Sequence, residues 1–230
     1  MKDDTDTAVV AGVGPNLGES VVRRFADDGY AVACLARSED YLNELAEDVR
    51  SSGGEALAVP CDITDREEVV TAFDRVRKEY EGVDVLVNNA STASWDGLLK
   101  ATPAGFERAW RVSAYGSFLC AKQAVDDMLA EDSGTVIFTG ATSSVRGRDG
   151  AVGFSAAKFA VRGLAESMAR ELGPHGIHVA HAVVDGMISD DEDDETLHPD
   201  EIAEAYLDLV EQDRSAWTLE LDLRPYAEEF

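Results

Sequence analysis

The sequence predicts an α/β protein with a doubly wound parallel sheet of about seven strands and helices on both faces. Short β-branched runs alternate with longer segments of helical periodicity, the pattern of strands joined by crossover helices. Several of the short runs are apolar throughout, which is typical of parallel strands buried on both faces. With 230 residues and 45% hydrophobic content, we expect one domain spanning residues 1–230.

The elements follow one another without a repeat or a long linker. We expect strands at Thr7–Ala11, Ala31–Ala36, Ala56–Val59, Val83–Val87, Thr135–Thr139, His178–Val184 and, as a candidate seventh, Trp217–Leu223. We expect helices at about Leu17–Asp28, Glu39–Ser51, Arg66–Tyr80, Pro103–Ala130, Phe154–Leu172 and Pro199–Gln212. The run at Val83–Val87 is the clearest buried strand, and Val21, Val22 and Phe25 make the first helix amphipathic.

The charge balance is strongly acidic. Lys and Arg number 20 against 46 Asp and Glu, which gives a net charge of −26, and few of the basic residues are lysine. Such a surface disfavours nucleic acid and anionic membranes as partners. It suits a cytoplasm at molar salt, where screening weakens self-repulsion, so we interpret the chain as a halophile's cytoplasmic protein; an unusually acidic protein from a low-salt organism is the alternative.

No targeting or metal-binding pattern is evident. The first residues are polar and acidic, so we expect no signal peptide, and no apolar stretch reaches the roughly 18 residues that span a bilayer. The three cysteines form no C-x-x-C pair and the four histidines lack ligand spacing, so we expect no metal site. The acidic segment 189–195 is interpreted as a solvated loop, with cation binding as the alternative.

A glycine-rich turn follows the first strand. Gly12, Gly14 and Gly18 precede or open the first helix, with Asn16 and Leu17 between them. A strand, a glycine turn and a helix N-terminus together direct backbone N–H groups at a pyrophosphate, so these residues predict a Rossmann-type dinucleotide site. The spacing differs from G-x-G-x-x-G, and a tight turn without a ligand is the alternative.

The end of the second strand carries Arg37. An acidic residue at this distance from the glycine turn would bind the ribose hydroxyls of NAD, whereas an arginine pairs with the 2′-phosphate of NADP. We therefore expect NADP(H) to be favoured over NAD(H), with an exposed surface arginine as the alternative.

Three further motifs resemble landmarks of the short-chain dehydrogenase/reductase family. They are Cys61-Asp62-Ile63-Thr64-Asp65, Asn88-Asn89-Ala90 and Phe154-Ser155-Ala156-Ala157-Lys158, and their order covers nearly the whole chain. The resemblance implies that cofactor contacts come from Asp62, Ile63, Asn89, Ala90 and Lys158, and from Asp185, Gly186 and Ile188 after the sixth strand. It also implies a homo-oligomer, most simply a two-fold pair, through the helices at 103–130 and 154–172.

The catalytic positions depart from that family's pattern. Phe154 stands where the family has the tyrosine that exchanges a proton with the substrate, and Ala141 stands where it has a serine. Ser113 occupies the position of the asparagine that anchors a water relay, so only Lys158 remains. The chain resembles a divergent subgroup of classical members in which phenylalanine replaces the tyrosine.

Other side chains are candidates for the missing chemistry. Thr142 and Ser143 follow the usual serine position, and either hydroxyl could act with help from Lys158. Asp185 lies at the crevice end of the sixth strand and could act as a base, with loop capping as the alternative. For Tyr115, packing is favoured over catalysis.

Two classes of function fit these residues. One is an NADP-dependent oxidoreductase with a non-standard active site that acts on a carbonyl or alcohol of unknown identity. The other is a catalytically silent NADP(H)-binding sensor or structural protein. The fold cannot decide between them, because function depends on the site.

Overall fold

The computed structural model describes residues 5–92, 95–191 and 195–227. Its central sheet has seven parallel strands in the order β3-β2-β1-β4-β5-β6-β9. The strands are β1 (Thr7–Ala11), β2 (Ala31–Ala36), β3 (Glu55–Pro60), β4 (Val85–Asn88), β5 (Gly134–Thr139), β6 (Ile177–Val184) and β9 (Glu220–Leu223). The predicted doubly wound parallel sheet is confirmed.

Helices cover both faces of this sheet. They are α1 (Leu17–Asp27), α2 (Glu39–Ser51), α3 (Arg66–Tyr80), α4 (Pro103–Trp110), α5 (Gly116–Glu131), α6 (Val152–Leu172) and α7 (Pro199–Val210). One core layer lies between the sheet and α1, α2 and α7, and the other lies between the sheet and α3, α5 and α6. Strand order reverses between β1 and β4, so a crevice opens at the carboxyl ends of these two strands.

Most predicted boundaries hold within two residues, with three differences. Strand β4 begins at Val85 because Asp84 instead accepts a hydrogen bond from the Thr7 amide with its carboxylate (2.7 Å). The last strand is shorter than predicted: it spans only Glu220–Leu223 and follows a short 3₁₀ turn. A two-stranded parallel pair, β7 (Met187–Ile188) and β8 (Thr196–Leu197), was not expected from the sequence.

The helix predicted at 103–130 is interrupted. A π-helical turn at Arg111–Tyr115 separates α4 from α5. At its end Gly116 lies so close to Ile63 that a Cβ there would be 2.7 Å from the Ile63 Cδ1 atom. The Ser117 hydroxyl donates to the Ser113 carbonyl (2.7 Å), which fixes the widened turn internally. Single π-turns within helices are frequent at functional sites.

Strand β6, next to the edge strand β9, carries two histidines on opposite faces of the sheet. His178 contacts the Leu209 carbonyl beside α7, whereas His181 contacts the Glu220 carboxylate on the side of α6. Among the described residues, no helix is both long and apolar enough to cross a membrane. The described parts of the chain also hold no cluster of three potential metal ligands, and residues 192–194 of the acidic segment lie outside them.

Candidate cofactor and active site

The glycine turn has three differently built positions. Gly12 has φ +103°, and a Cβ there would lie 2.3 Å from the Ala90 backbone nitrogen. A Cβ on Gly18 would lie 2.8 Å from the Gly12 carbonyl oxygen, so these two glycines permit close approach between β1, β4 and α1. A Cβ on Gly14 would meet no atom within 4 Å, which leaves this position open to a ligand.

Asn16 occupies the position before α1 in an unusual backbone conformation. Its φ of 80° and ψ of −134° fall in a region that favours glycine. The Asn16 side-chain oxygen accepts a hydrogen bond from the Leu17 amide (2.9 Å), which offsets part of that strain. Asn16 thereby caps the start of α1 in this conformation.

A cavity of about 1000 Å³ opens beside this turn. Among the residues that line it are the sequence-predicted Gly12, Gly14, Leu17, Gly18, Arg37, Asp62, Ile63, Asn89 and Ala90. The structure thus brings most of the predicted cofactor residues together. Asn89 also donates its side-chain amide to the Gly12 carbonyl (2.9 Å), which ties the end of β4 to the turn.

Positive charge is concentrated at one end of this cavity. Arg37 from the end of β2 and Arg108 from α4 both line it and both act on Asp62. Burial raises the pKa of Asp62, but hydrogen bonds from the amide and hydroxyl of Thr64 lower it more, helped by the two arginines. The net pKa is below the usual value, so Asp62 is an ionised hydrogen-bond acceptor in the cavity wall.

Lys158 is buried on α6. Its Nζ donates to the Thr139 carbonyl (2.8 Å), and burial lowers the pKa of Lys158 to about 8. The Phe154 ring centre is 5.7 Å from this nitrogen, one helical turn away. Trp95 covers Phe154 with ring centres 5.4 Å apart, so an aromatic surface lies beside the Lys158 nitrogen.

A second polar group lies at the ends of β5 and β6. The Thr142 hydroxyl donates to Asp185 Oδ1 (2.5 Å), and Arg146 Nη2 donates to Asp185 Oδ2 (2.8 Å). Asp185 is only 4% exposed, while Thr142, Arg146 and Gly186 line a cavity of about 750 Å³. A buried carboxylate is thereby linked to a hydroxyl at the cavity surface.

The other candidate hydroxyl is placed less favourably. Ser143 is 1% exposed, and Ser144 is fully buried with its hydroxyl accepting from the Ala141 amide (3.0 Å). Ser113, at the usual asparagine position, is also buried, and its hydroxyl has no partner within the described residues. Of the hydroxyls predicted after β5, the geometry therefore favours Thr142.

Tyr115 packs against neighbouring aromatic side chains. Its ring stacks on Trp110 with centres 5.8 Å apart and on Phe118 at 6.5 Å. These contacts agree with the packing role favoured from the sequence.

Sequence reasoning missed Arg108, Arg146, Arg148 and Trp95. Arg148 lies over the Trp95 ring at 5.1 Å from its centre, at the rim of the second cavity. Basic residues are scarce in this chain, 20 in 230, and two of them, Arg146 and Arg148, are close together in the loop after β5. That clustering could have marked the loop as a functional segment.

The reversal in strand order, the glycine turn and the cavity beside it define a Rossmann-type dinucleotide-binding protein. A model of the family described as short chain dehydrogenase matches residues 6–225, and this chain belongs to that family.

Relatives and solved structures agree with this assignment. A 3-oxoacyl-[acyl-carrier-protein] reductase of Staphylococcus aureus is 30% identical over 81% of this chain and 76% of its own. A short-chain dehydrogenase from Rhodopseudomonas palustris is 32% identical, with a TM-score of 0.87 over 96% of this chain and 99% of its own. An alcohol dehydrogenase of the archaeon Thermococcus sibiricus, complexed with 5-hydroxy-NADP, is 26% identical with a TM-score of 0.90 over 98% of both chains.

Proposed function

We propose that this protein is an NADP(H)-dependent oxidoreductase acting on an alcohol or carbonyl group, with Thr142 and Asp185 in place of the usual tyrosine. The observation that carries the proposal is the 2.5 Å hydrogen bond from the Thr142 hydroxyl to the nearly buried Asp185 carboxylate. Short bonds from a hydroxyl to a carboxylate are among the stronger ones in proteins. Family membership and the NADP-type ligand of a related alcohol dehydrogenase support the reaction class.

The cavity fits a dinucleotide. Its volume of about 1000 Å³ matches a large ligand, and the open Gly14 lies at the N-terminus of α1, where a pyrophosphate is favoured. Asp62, Ile63, Asn89 and Ala90 would contact the adenosine side and the centre of the cofactor. The family resemblance puts the nicotinamide near Lys158, Asp185, Gly186 and Ile188, which do not line this cavity; Gly186 lines the second one. The bound cofactor supplies or accepts the hydride.

Side chains of this protein transfer the substrate proton. Asp185 is ion-paired with Arg146, and an ionised carboxylate accepts hydrogen bonds only, so the Thr142 proton points toward it. The free lone pair of Thr142 then accepts the hydroxyl proton of an alcohol substrate. As that proton moves to Thr142 Oγ1, the proton already on Thr142 moves to Asp185 Oδ1 and the substrate becomes the alkoxide that gives up hydride.

NADP preference is assigned to Arg37. This arginine is exposed at the cavity edge and makes no hydrogen bond or ion pair within the described residues, so its charge is available to a 2′-phosphate. We expect Arg37→Ala to weaken NADPH binding roughly 10- to 100-fold and NADH binding little, since a charge-assisted contact contributes about 1.5–3 kcal/mol. Calorimetric titration at molar KCl measures both dissociation constants.

Arg75→Ala is the matched control, because Arg75 is equally exposed but lies on α3 and does not line the cavity. Wild-type protein that prefers NADH, or an Arg37→Ala protein with an unchanged ratio of the two affinities, would show that Arg37 does not select the cofactor.

We also propose a homo-oligomer in a saline cytoplasm. Phe106, Trp110, Phe118 and Phe159, on α4, α5 and α6, keep 41–43% of their surface exposed. Ala109 and Ala121, small residues on the same helices, are buried within the protomer and leave the interface to these aromatic side chains. Light scattering over a KCl series is expected to give a mass of at least twice 24.7 kDa at molar salt. We expect the oligomer to dissociate as the salt concentration is lowered, because screening of the −26 charge is lost. A single-chain mass at every salt concentration would contradict the proposal.

A further inference from the structure

His181 is a fully buried histidine that the proposed reaction does not use. Its Nδ1 is 3.2 Å from Glu220 Oε2, while its Nε2 has no partner within the described residues. Nε2 points at Gly140, where a Cβ would be only 2.3 Å away. A buried polar atom without a partner is rare in native proteins and calls for an explanation.

The protonation of this imidazole follows from its neighbours. Arg162 on α6 contacts both carboxylate oxygens of Glu220. Its Nη2 donates to Oε1 (3.0 Å), and its Nε lies 2.7 Å from Oε2. Arg162 also contacts Glu166 at 3.2 Å. Because the ionised Glu220 can only accept, His181 Nδ1 must carry the proton, and Nε2 presents a lone pair.

His181 and Lys158 share one face of the sheet. Phe138, which is in register with His181, belongs to the core layer beneath α6, and Lys158 is one helical turn before Arg162 on that helix. The Thr139 carbonyl accepts the Lys158 hydrogen bond, and the next residue, Gly140, lies against His181 Nε2.

Three charged side chains, on α6 and β9, act on His181. Burial lowers the pKa of His181, and the charges of Lys158 and Arg162 lower it further, whereas Glu220 on β9 raises it; the net pKa is below the usual value. The imidazole is therefore neutral at pH 7 and oriented as a dipole, with its negative end toward Gly140 and its positive end toward Glu220.

We propose that His181, held by Glu220 and Arg162, is a positioning residue that stabilises the charged form of Lys158 through its Nε2 lone pair, by way of one buried water. In this arrangement the surface ion pair at the sheet edge fixes the tautomer of His181, and the tautomer sets how strongly Lys158 retains its proton. Gly140 is required because any side chain there would displace the imidazole.

Lys158 loses its charge as pH rises through its pKa, so removal of the His181 dipole shifts that loss to lower pH. We expect His181→Phe to lower the pKa of Lys158, because a group that favours the charged form is lost. A consequence that rests on the proposed function is that NADPH affinity falls at a correspondingly lower pH in the variant.

The experiment is an NMR titration of protein labelled with ¹³C at lysine Cε, without ligand. The chain has few lysines, and the signal missing from Lys158→Met identifies the buried one. Since no cofactor or substrate is added, this readout is independent of whether the protein is an enzyme.

His178→Phe is the matched control. His178 is a buried histidine on the same strand, but it faces the other side of the sheet and both its ring nitrogens contact backbone carbonyls, at 3.1 and 2.8 Å. We expect this variant to leave the Lys158 titration unchanged. An unchanged midpoint in His181→Phe, or an equal shift in His178→Phe, would overturn the proposal.

A second variant keeps the test open should His181→Phe fail to fold. Glu220→Gln removes the charge that fixes the tautomer, so proton density is expected to move to Nε2 and the Lys158 midpoint to fall. The ¹⁵N spectrum of the imidazole reports this directly. A wild-type His181 that carries its proton on Nε2 would contradict the proposed arrangement.

Discussion

Replacing Thr142 by valine is expected to lower kcat/KM roughly 10²- to 10⁴-fold, the usual contribution of a positioned acid or base. Valine keeps the shape of the side chain but removes the oxygen that bonds to Asp185 at 2.5 Å. The loss follows because no side chain would then carry a proton between the substrate and the carboxylate. Oxidation of a panel of secondary alcohols with NADP⁺ at molar KCl measures the effect.

Thr142→Ser is the control, because it restores a hydroxyl at the same atom and is expected to recover most of the rate. NADP⁺ affinity is expected to be similar in the wild type and both variants, since Thr142 does not line the cavity beside the glycine turn. If the valine variant turns over as fast as the wild type, Thr142 has no part in proton transfer and another group must replace the tyrosine.

Gly12→Ala is expected to lower the free energy of unfolding by about 3 kcal/mol and to abolish dinucleotide binding. An alanine at φ +103° is strained, and its Cβ would overlap the Ala90 backbone at 2.3 Å, so β1 and β4 would have to separate at the mouth of the crevice. Chemical denaturation and calorimetric NADPH titration measure the two effects.

Gly14→Ala distinguishes an effect on stability from an effect on ligand binding. Its Cβ would meet no protein atom within 4 Å, so stability is expected to change by less than about 1 kcal/mol while NADPH affinity falls. Equal destabilisation by the two substitutions would contradict the roles assigned to these glycines, and unchanged NADPH affinity in Gly14→Ala would contradict a pyrophosphate at this position.

The alternation of strands and helices was predictable because each element carries its own periodicity. The π-turn at Arg111–Tyr115 was not, since it depends on the contact between Gly116 and Ile63, residues far apart in the chain. The pairing of β7 and β8 likewise depends on a long-range contact and involves only two residues from each strand.

The cofactor end of the site was largely predictable, because its residues follow strands whose carboxyl ends must meet. The chemistry end was predictable only as a set of candidates. Which hydroxyl faces the cavity depends on the loop after β5, where Arg146 anchors Asp185 and Ser143 turns inward. The link between His181 and Glu220 requires the register of β6 with β9, which local sequence does not encode.

Transfer of deuterium from an alcohol to the cofactor would demonstrate the proposed hydride transfer. Secondary alcohols that carry deuterium on the carbinol carbon are incubated with wild-type protein and NADP⁺ at molar KCl, and the recovered NADPH is analysed by mass spectrometry. We expect deuterium at the nicotinamide C4 with at least one alcohol of the panel, and far less of it with Thr142→Val. NADP⁺ that binds the protein yet gains no deuterium from any alcohol would contradict the account and identify a nucleotide-binding protein without turnover.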